Sequence, residues 1–183
     1  MINPSSEDTE RIIRSFRFIG HNVRKYDNHI LYARSLGYSN EELFELSSRI
    51  TANDKEEDNR NCYFAEAYNL SYTDTYDFAS NDNKMSLKKW EIKLGIHHLE
   101  NEHPWDQPVD EKYWEEIADY CANDVIATEK VFDHIQADFK ARLILAELSG
   151  LTPNDTTNSH TTRLIVGRDR NPKANYIYPD LAK

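Results

Sequence analysis

Two short stretches of this sequence combine residue types that could perform chemistry. The first runs Phe18-Ile-Gly-His-Asn-Val-Arg-Lys-Tyr-Asp27, in which a short apolar run ends in Gly-His-Asn and an aspartate begins the next helical pattern. Crevices in α/β folds open where strands end, and a carboxylate placed there could bind a hard cation such as Mg²⁺. Asp27 could equally be an ordinary acid in the first turn of a helix, stabilised by the helix dipole. Spacing alone favours this simpler interpretation.

The second stretch is Asp119-Tyr-Cys-Ala-Asn-Asp124, which lies inside a long pattern of helical periodicity. Tyr120 and Asp124 are four residues apart, so a helix places them on one face, a turn apart. A phenol and a carboxylate in that arrangement can share a metal-bound water, with the carboxylate binding the ion and the phenol orienting the nucleophile. Taken alone, the motif is more often a surface aspartate above a packed tyrosine.

The elements that must position these residues can be predicted from periodicity and caps. The first half of the chain predicts a helix after Ser5-Ser6, a buried strand over Phe16–Ile19, a helix over Tyr26–Leu36, and a helix after the capping box Ser39–Glu42. The acidic segment Asn53–Asn61 is typical of a solvated loop.

The second half predicts fewer strands and longer helices. A strand is expected over Tyr68–Ala79, a helix from Ser86 to Gly95, a loop over His97–Pro108, and one long helix over Asp110–Ser149. This is an α/β chain that is rich in helix, and two strands are few for a stable sheet in a chain of this length. We therefore expect strands of the complete fold to be missing.

Composition limits the classes of function. The 183 residues carry a formal charge of -10, which argues against broad electrostatic binding of DNA but not against a nuclease, whose carboxylates hold cations. No run is apolar enough for a membrane span, and Met1–Pro4 does not start a signal peptide. Cys62 and Cys121 form no CxxC pair. The expectation is a single domain in a reducing, cytoplasmic compartment.

Together the two motifs resemble the second and third motifs of the tyrosine-containing DEDD 3′–5′ exonucleases. Asp74–Asp77 followed by Ser86–Trp90 is similar to the passage between those motifs, and Asp119–Phe132 is closer still to phage- and prophage-type family A DNA polymerases. The segment Asn154–Arg163 resembles the connection toward their polymerase region. The resemblance covers essentially the whole chain, and the Tyr120/Asp124 motif in its context is the most specific part.

The resemblance implies a ribonuclease-H-like fold, truncated at its N-terminal strands, and a site with two Mg²⁺ or Mn²⁺ ions held by four carboxylates. Asp27 would be the second-motif ligand, Asp124 the third-motif ligand, and Tyr120 the residue that orients the water. His21 and Asn22 would shape the end of the strand and have no catalytic role. The implied substrate is the single-stranded 3′ end of DNA, hydrolysed to nucleoside 5′-monophosphates in the cytoplasm of a bacterial host.

The sequence departs from that family at the first motif, an Asp-x-Glu on an apolar strand. Asp8-Thr9-Glu10 spells the motif, but Ile12, Ile13 and Phe16 make it the first turn of a helix. We therefore expect a partial exonuclease domain over residues 1–150 and a linker toward an absent polymerase domain over residues 151–183. Such a chain would be inactive unless a second polypeptide supplied the missing strand, and no nucleotidyl transfer is expected from it.

Three other interpretations remain open from the sequence. The chain could be a non-catalytic assembly or DNA-contacting module of a split polymerase. A metal site could use His97, His98 and His103, but their spacing matches no familiar zinc pattern and polar loop histidines are the better account. Basic and aromatic residues near the C-terminus could contact single-stranded DNA, although a polar linker is favoured: Arg163, Arg168, Arg170, Lys173, Tyr176 and Tyr178.

Overall fold

The computed structural model describes residues 2–52, 62–100, 103–104 and 107–169. These residues form a mixed α/β structure that is rich in helix, as the sequence predicts. The elements are α1 (Ser6–Ser15), β1 (Ile19–Gly20), α2 (Asp27–Ser35), α3 (Asn40–Thr51), β2 (Thr73–Asp74), α4 (Thr75–Phe78), α5 (Leu87–Leu94), α6 (Trp114–His134), α7 (Gln136–Ser149) and α8 (Thr157–Val166). The predicted loop Asn53–Asn61 lies outside the described residues, as do Arg170, Lys173, Tyr176 and Tyr178.

Helix ends follow the caps in the sequence. The Ser39 side chain accepts from the Glu42 N–H while the Glu42 carboxylate accepts from the Ser39 N–H, which confirms the predicted capping box before α3. The Ser86 side chain accepts from the Lys89 N–H at the start of α5, and Gly95 ends that helix in the left-handed region, at φ 65°. Asp8 and Glu10 lie in α1, so the helical interpretation of the Asp-x-Glu spelling is confirmed.

The sheet consists of β1 and β2, which pair in parallel with Ile19 opposite Thr73 and Gly20 opposite Asp74. The predicted strand over Phe16–Ile19 is therefore wrong in its bounds. Phe16 closes α1 instead, because its N–H donates to the Ile12 carbonyl at 3.1 Å, and its side chain is 64% exposed. Within the described residues, β1 has a strand neighbour on one side only.

The predicted strand over Tyr68–Ala79 is wrong over most of its length. Only Thr73–Asp74 is extended, between a 3₁₀ turn at Glu66–Asn69 and helix α4. The Asp74 carboxylate accepts from the Tyr76 N–H at 2.9 Å and begins α4. A local cap of this kind outweighs the strand preference of the tyrosines and threonines around it.

The predicted single helix over Asp110–Ser149 is also wrong, because the chain forms two helices. A 3₁₀ turn at Glu111–Tyr113 precedes α6, and Ile135, at φ −102° and ψ 27°, separates α6 from α7. Ile135 is 2% exposed and packs in the main core. The apolar stripe continues across this bend because both helices bury the same face, so periodicity alone could not reveal the break.

The main core lies between α4, α5, α6 and α7. Its buried members are Phe78, Ala79, Trp90, Val131, Ile135 and Phe139. The Phe139 ring centroid is 5.1 Å from those of Phe78 and Phe132, which is the spacing of favourable aromatic pairs. A second cluster of Ala33, Leu46 and Cys62 joins α2 to α3. None of the described helices is long and apolar enough to cross a membrane.

Candidate functional site

The loop after β1 is held by one buried carboxylate. Asp74 is 1% exposed, and its oxygens accept from the N–H groups of Asn22 and Val23 at 2.8 Å and of Arg24 at 3.4 Å, in addition to that of Tyr76. Asn22 lies in the left-handed region, at φ 60°, a conformation that asparagine tolerates better than most residues. Asp74 therefore fixes the backbone of the Gly-His-Asn loop at the end of the strand.

Gly20 and His21 complete this loop. A Cβ on Gly20 would lie 2.5 Å from a methyl carbon of Val23, so the close turn requires glycine at this position. His21 Nδ1 lies 2.8 Å from the Thr75 hydroxyl, and Nε2 lies 3.1 Å from the Met85 carbonyl. Burial lowers the pKa of His21, so the ring is neutral, donates from Nε2 and accepts at Nδ1. His21 therefore joins the loop after β1 to Thr75 at the start of α4 and to Met85.

Asp27 begins α2 immediately after this loop. It lines a cleft of about 740 Å³ that the end of β1 and helix α6 form together, and Asp124 lines the same cleft. Asp27 is exposed, yet desolvation by the surrounding protein raises the pKa of its carboxyl. A backbone hydrogen bond opposes this change, and the charges of Asp74 and Asp124 add to it. The two aspartates singled out in the sequence are thus neighbours electrostatically as well as in the cleft.

Tyr120 and Asp124 both lie on α6, one turn apart, as predicted. Asp124 is half-buried; desolvation and the charge of Glu91 raise the pKa of its carboxyl, and hydrogen bonding to Tyr120 opposes the change. Desolvation, followed by the Asp124 charge, raises the pKa of the Tyr120 phenol, which keeps its proton as a donor. Tyr120 itself is not among the residues that line the 740 Å³ cleft.

The sequence did not reveal a third carboxylate beside this pair. Glu91 on α5 is 2% exposed, and its oxygens lie 2.6 Å from His98 Nδ1 and 3.2 Å from Asn123 Nδ2. Asn123 Nδ2 also donates to the His97 carbonyl at 3.1 Å. Glu91 follows the buried Trp90 in α5, and no spacing in the sequence marks it as an inward-facing acid. Asp74 likewise has no signal in the sequence beyond its place in the Asp74–Asp77 motif.

The aspartates supply part of a site for a divalent cation. Carboxylate oxygens are the ligands that Mg²⁺ and Mn²⁺ prefer, and Asp27 and Asp124 present them to one cleft. Among the residues that the structure describes, no group of three or more His, Cys, Asp or Glu side chains is arranged to hold a metal ion. The two aspartates therefore fit a partial site that needs further oxygen ligands.

The histidine interpretation gains no support from the described residues. His98 lies between Glu91 and Glu100, with Nε2 3.2 Å from the Glu100 carboxylate, and these hydrogen bonds raise its pKa. His103 is 4.6 Å from the Tyr113 ring, centroid to centroid, while His97 is exposed and takes part through its carbonyl oxygen. A raised pKa reflects imidazolium pairing with acids rather than a neutral imidazole kept available for zinc.

The segment after Gly150 packs against the loop that precedes Asp27. Arg24 Nη1 donates to the Asn154 carbonyl at 2.6 Å and to Asp77 at 2.8 Å. Arg142, 5% exposed, donates to the Asp155 carbonyl and to the Thr157 hydroxyl. The predicted linker over 151–183 thus begins with residues that pack on α7 as helix α8, while its role as a linker stays a prediction.

Comparisons with protein-family models, with curated proteins and with solved structures found no match for this chain. The function proposed below therefore rests on the cleft that Asp27 and Asp124 share and on the resemblance of the motifs that contain them.

Proposed function

We propose that this chain is the 3′–5′ proofreading exonuclease region of a phage-type family A DNA polymerase, with a ribonuclease-H-like fold that lacks its opening strands. The single observation that carries the proposal is the cleft shared by Asp27 and Asp124. These residues come from motifs almost a hundred positions apart, yet they line one cavity, and the charge of Asp124 raises the pKa of Asp27. The resemblance assigned both of them to one metal site from sequence alone.

Each residue has a defined role in this proposal. Asp27 and Asp124 would hold Mg²⁺ or Mn²⁺, which supplies an activated water and stabilises the leaving 3′ oxygen when bound. Tyr120 keeps its proton, because burial and the Asp124 charge raise the pKa of its phenol, and so it can orient the attacking water by hydrogen bonding. His21 and Asp74 keep the strand end in place. The substrate would be the 3′ end of single-stranded DNA, and the products nucleoside 5′-monophosphates.

The missing carboxylates would come from a second polypeptide that carries the Asp-x-Glu strand. Among the residues that the structure describes, β1 pairs with a strand on one side only. Two clefts, of about 470 and 740 Å³, share Ile19, Gly20, Val23 and Asp27 as lining residues. A strand added beside β1 would direct alternate side chains to opposite faces of the sheet, one set toward each cleft. Its carboxylates would then lie at the cleft that contains Asp27 and Asp124.

A non-catalytic assembly module of a split polymerase is the second candidate. The observation in its favour is that no group of three potential ligands is arranged for a metal within the described part of the chain. Indifference of the chain to Mg²⁺ and Mn²⁺ in a binding titration, with or without the strand polypeptide, would support this candidate over the nuclease.

The test is hydrolysis of single-stranded DNA bearing a labelled 3′ end, with Mg²⁺ or Mn²⁺, by the chain alone and with a polypeptide carrying the Asp-x-Glu strand. Asp124→Ala removes a proposed ligand, and Asp119→Ala is the matched control, because Asp119 is exposed on the same helix. We expect nucleoside monophosphates only with the strand polypeptide, and no release from Asp124→Ala. Release by the chain alone would show that other acids complete the site; no release in either case would refute the nuclease.

A further inference from the structure

A buried acid outside the proposed ligand set contacts the turn that carries Tyr120 and Asp124. Glu91 is 2% exposed in a helix whose neighbouring residues Lys89 and Ile92 face solvent. Burying a carboxylate is unfavourable unless its oxygens are hydrogen-bonded, and an apolar side chain of similar size is often as stable or more so. Glu91 would therefore be a poor choice if packing were its only role.

The oxygens of Glu91 reach away from its own helix toward α6 and the loop that follows α5. One oxygen lies 2.6 Å from His98 Nδ1, and the other lies 3.2 Å from Asn123 Nδ2. The same Asn123 amide donates to the His97 carbonyl at 3.1 Å. Two acceptors from separate parts of the chain thus hold one side-chain amide in a single orientation.

Asn123 lies in the turn of α6 between Tyr120 and Asp124. Fixing its amide fixes the rotation and height of that turn relative to α5, because a helix turn moves as a unit. Trp90, the residue before Glu91, is fully buried and already anchors α5 in the core. The hydrogen bonds of Glu91 therefore add a directional constraint on α6 that the apolar contacts do not provide.

We propose that Glu91 is a positioning residue: through the Asn123 amide and the His97–His98 loop, it fixes the turn of α6 so that Asp124 keeps its place at the cleft and Tyr120 keeps its place one turn away on the same helix. The inference rests on the proposed function only for the role that it gives to that pair. The positioning itself is a property of the free chain. It can be measured without metal or DNA.

The first measurement uses the full chain, with NMR of the Tyr120 ring, assigned with Tyr120→Phe, and amide hydrogen exchange at residues 120–124. Glu91→Ala removes both acceptors, and we expect a shifted Tyr120 resonance and exchange about tenfold faster in this turn than in the wild type. Glu91→Gln keeps one acceptor for Asn123 and a donor for His98, so exchange should return to within about threefold of the wild type. Glu147→Ala is the control, because Glu147 is exposed on α7.

The second measurement uses the chain complemented with the Asp-x-Glu strand polypeptide. Misplacing the pair should lower kcat about tenfold to hundredfold in Glu91→Ala while KM for DNA stays unchanged, with partial rescue in Glu91→Gln. If Glu91 only stabilised the fold, Glu91→Ala and Glu91→Gln would lower activity only by lowering the fraction of folded protein, and folded protein of both variants would have the wild-type kcat. The rates are therefore compared at a temperature where circular dichroism shows every variant folded.

The outcomes separate the inference from the proposed function. An unchanged Tyr120 resonance and unchanged exchange at residues 120–124 in folded Glu91→Ala would overturn the positioning role, whatever the nuclease does. If Glu91→Ala does not fold, Asn123→Ala removes the amide at a half-buried position instead. The Tyr120 resonance and the exchange at residues 120–124 then test the positioning role in that variant. If no condition yields DNA hydrolysis, the proposed function fails, and the exchange and ring measurements still test the positioning.

Discussion

The buried carboxylate of Asp74 offers the sharpest test of how the site is built. Asp74→Asn keeps the size and shape of the side chain but replaces one oxygen with an NH₂ group. The two oxygens accept in pairs, one from the N–H groups of Asn22 and Tyr76 and the other from those of Val23 and Arg24. Either orientation of the asparagine amide therefore turns a donor toward two backbone donors.

The expected loss in the free energy of unfolding follows from these hydrogen bonds. Hydrogen bonds to a charged group contribute about 1.5–3 kcal/mol each, and two are lost, although an amide is easier to bury than a carboxylate. We expect the free energy of unfolding to fall by about 3 kcal/mol in Asp74→Asn. With a urea slope of about 2 kcal/mol per molar, the midpoint falls by about 1.5 M.

The assay is urea unfolding followed by circular dichroism, together with amide exchange of residues 22–24. Asp82→Asn is the matched control, because Asp82 is exposed and lies in a 3₁₀ turn, and its stability should change by less than about 0.5 kcal/mol. A loss below about 1 kcal/mol for Asp74→Asn, with unchanged exchange at residues 22–24, would refute the conclusion that this carboxylate holds the loop.

Three further predictions follow from the same site and core. Gly20→Ala should destabilise the fold by about 1–3 kcal/mol, since its Cβ would lie 2.5 Å from Val23, and adding Val23→Ala should recover part of the loss in a double-mutant cycle. Asp124→Asn should stabilise the metal-free chain at pH 7, because the folded state raises the pKa of this carboxyl above its ordinary 3.8. The gain in the free energy of unfolding over the wild type should shrink as the pH falls from the raised pKa toward 3.8. Urea unfolding at pH 7 and pH 4 measures this gain, and no gain at pH 7, or a larger gain at pH 4, would contradict the prediction. Phe139→Ala should cost about 3–5 kcal/mol in thermal and urea unfolding, against less than about 0.5 for Leu148→Ala, whose side chain is 65% exposed.

Features encoded over a few residues were predictable from the sequence. The capping box at Ser39–Glu42 and the left-handed Gly95 depend on local backbone chemistry, and both stand where the pattern indicates. The helical placement of Tyr120 and Asp124 follows from one period of the helix. The cleft that Asp124 shares with Asp27 does not follow from any spacing in the sequence, and only the resemblance leads us to expect it.

Features that depend on distant partners were not predictable. The bend at Ile135 is invisible in an apolar stripe that continues through it. The strand around Tyr72 is cut short because Asp74 caps α4 and receives amides from a loop some fifty residues earlier. Glu91 is buried because Asn123, 32 positions later on α6, and His98, in the loop after α5, both approach its carboxylate. In each case tertiary contacts outweigh local preference.

The contact between Arg24 and Asn154 has a consequence for the order of events during synthesis. The two residues are 130 positions apart, and Arg24 lies in the loop that leads to Asp27. Because the chain is synthesised from its N-terminus, this loop leaves the ribosome long before Asn154 is synthesised. The loop can be completed only after the chain has emerged through Asn154, beyond the end of α7, because the contact joins residues that are far apart in sequence. A chain that terminated shortly after α7 could thus form the earlier helices, but the loop that leads to Asp27 would lack its hydrogen bond to the Asn154 carbonyl.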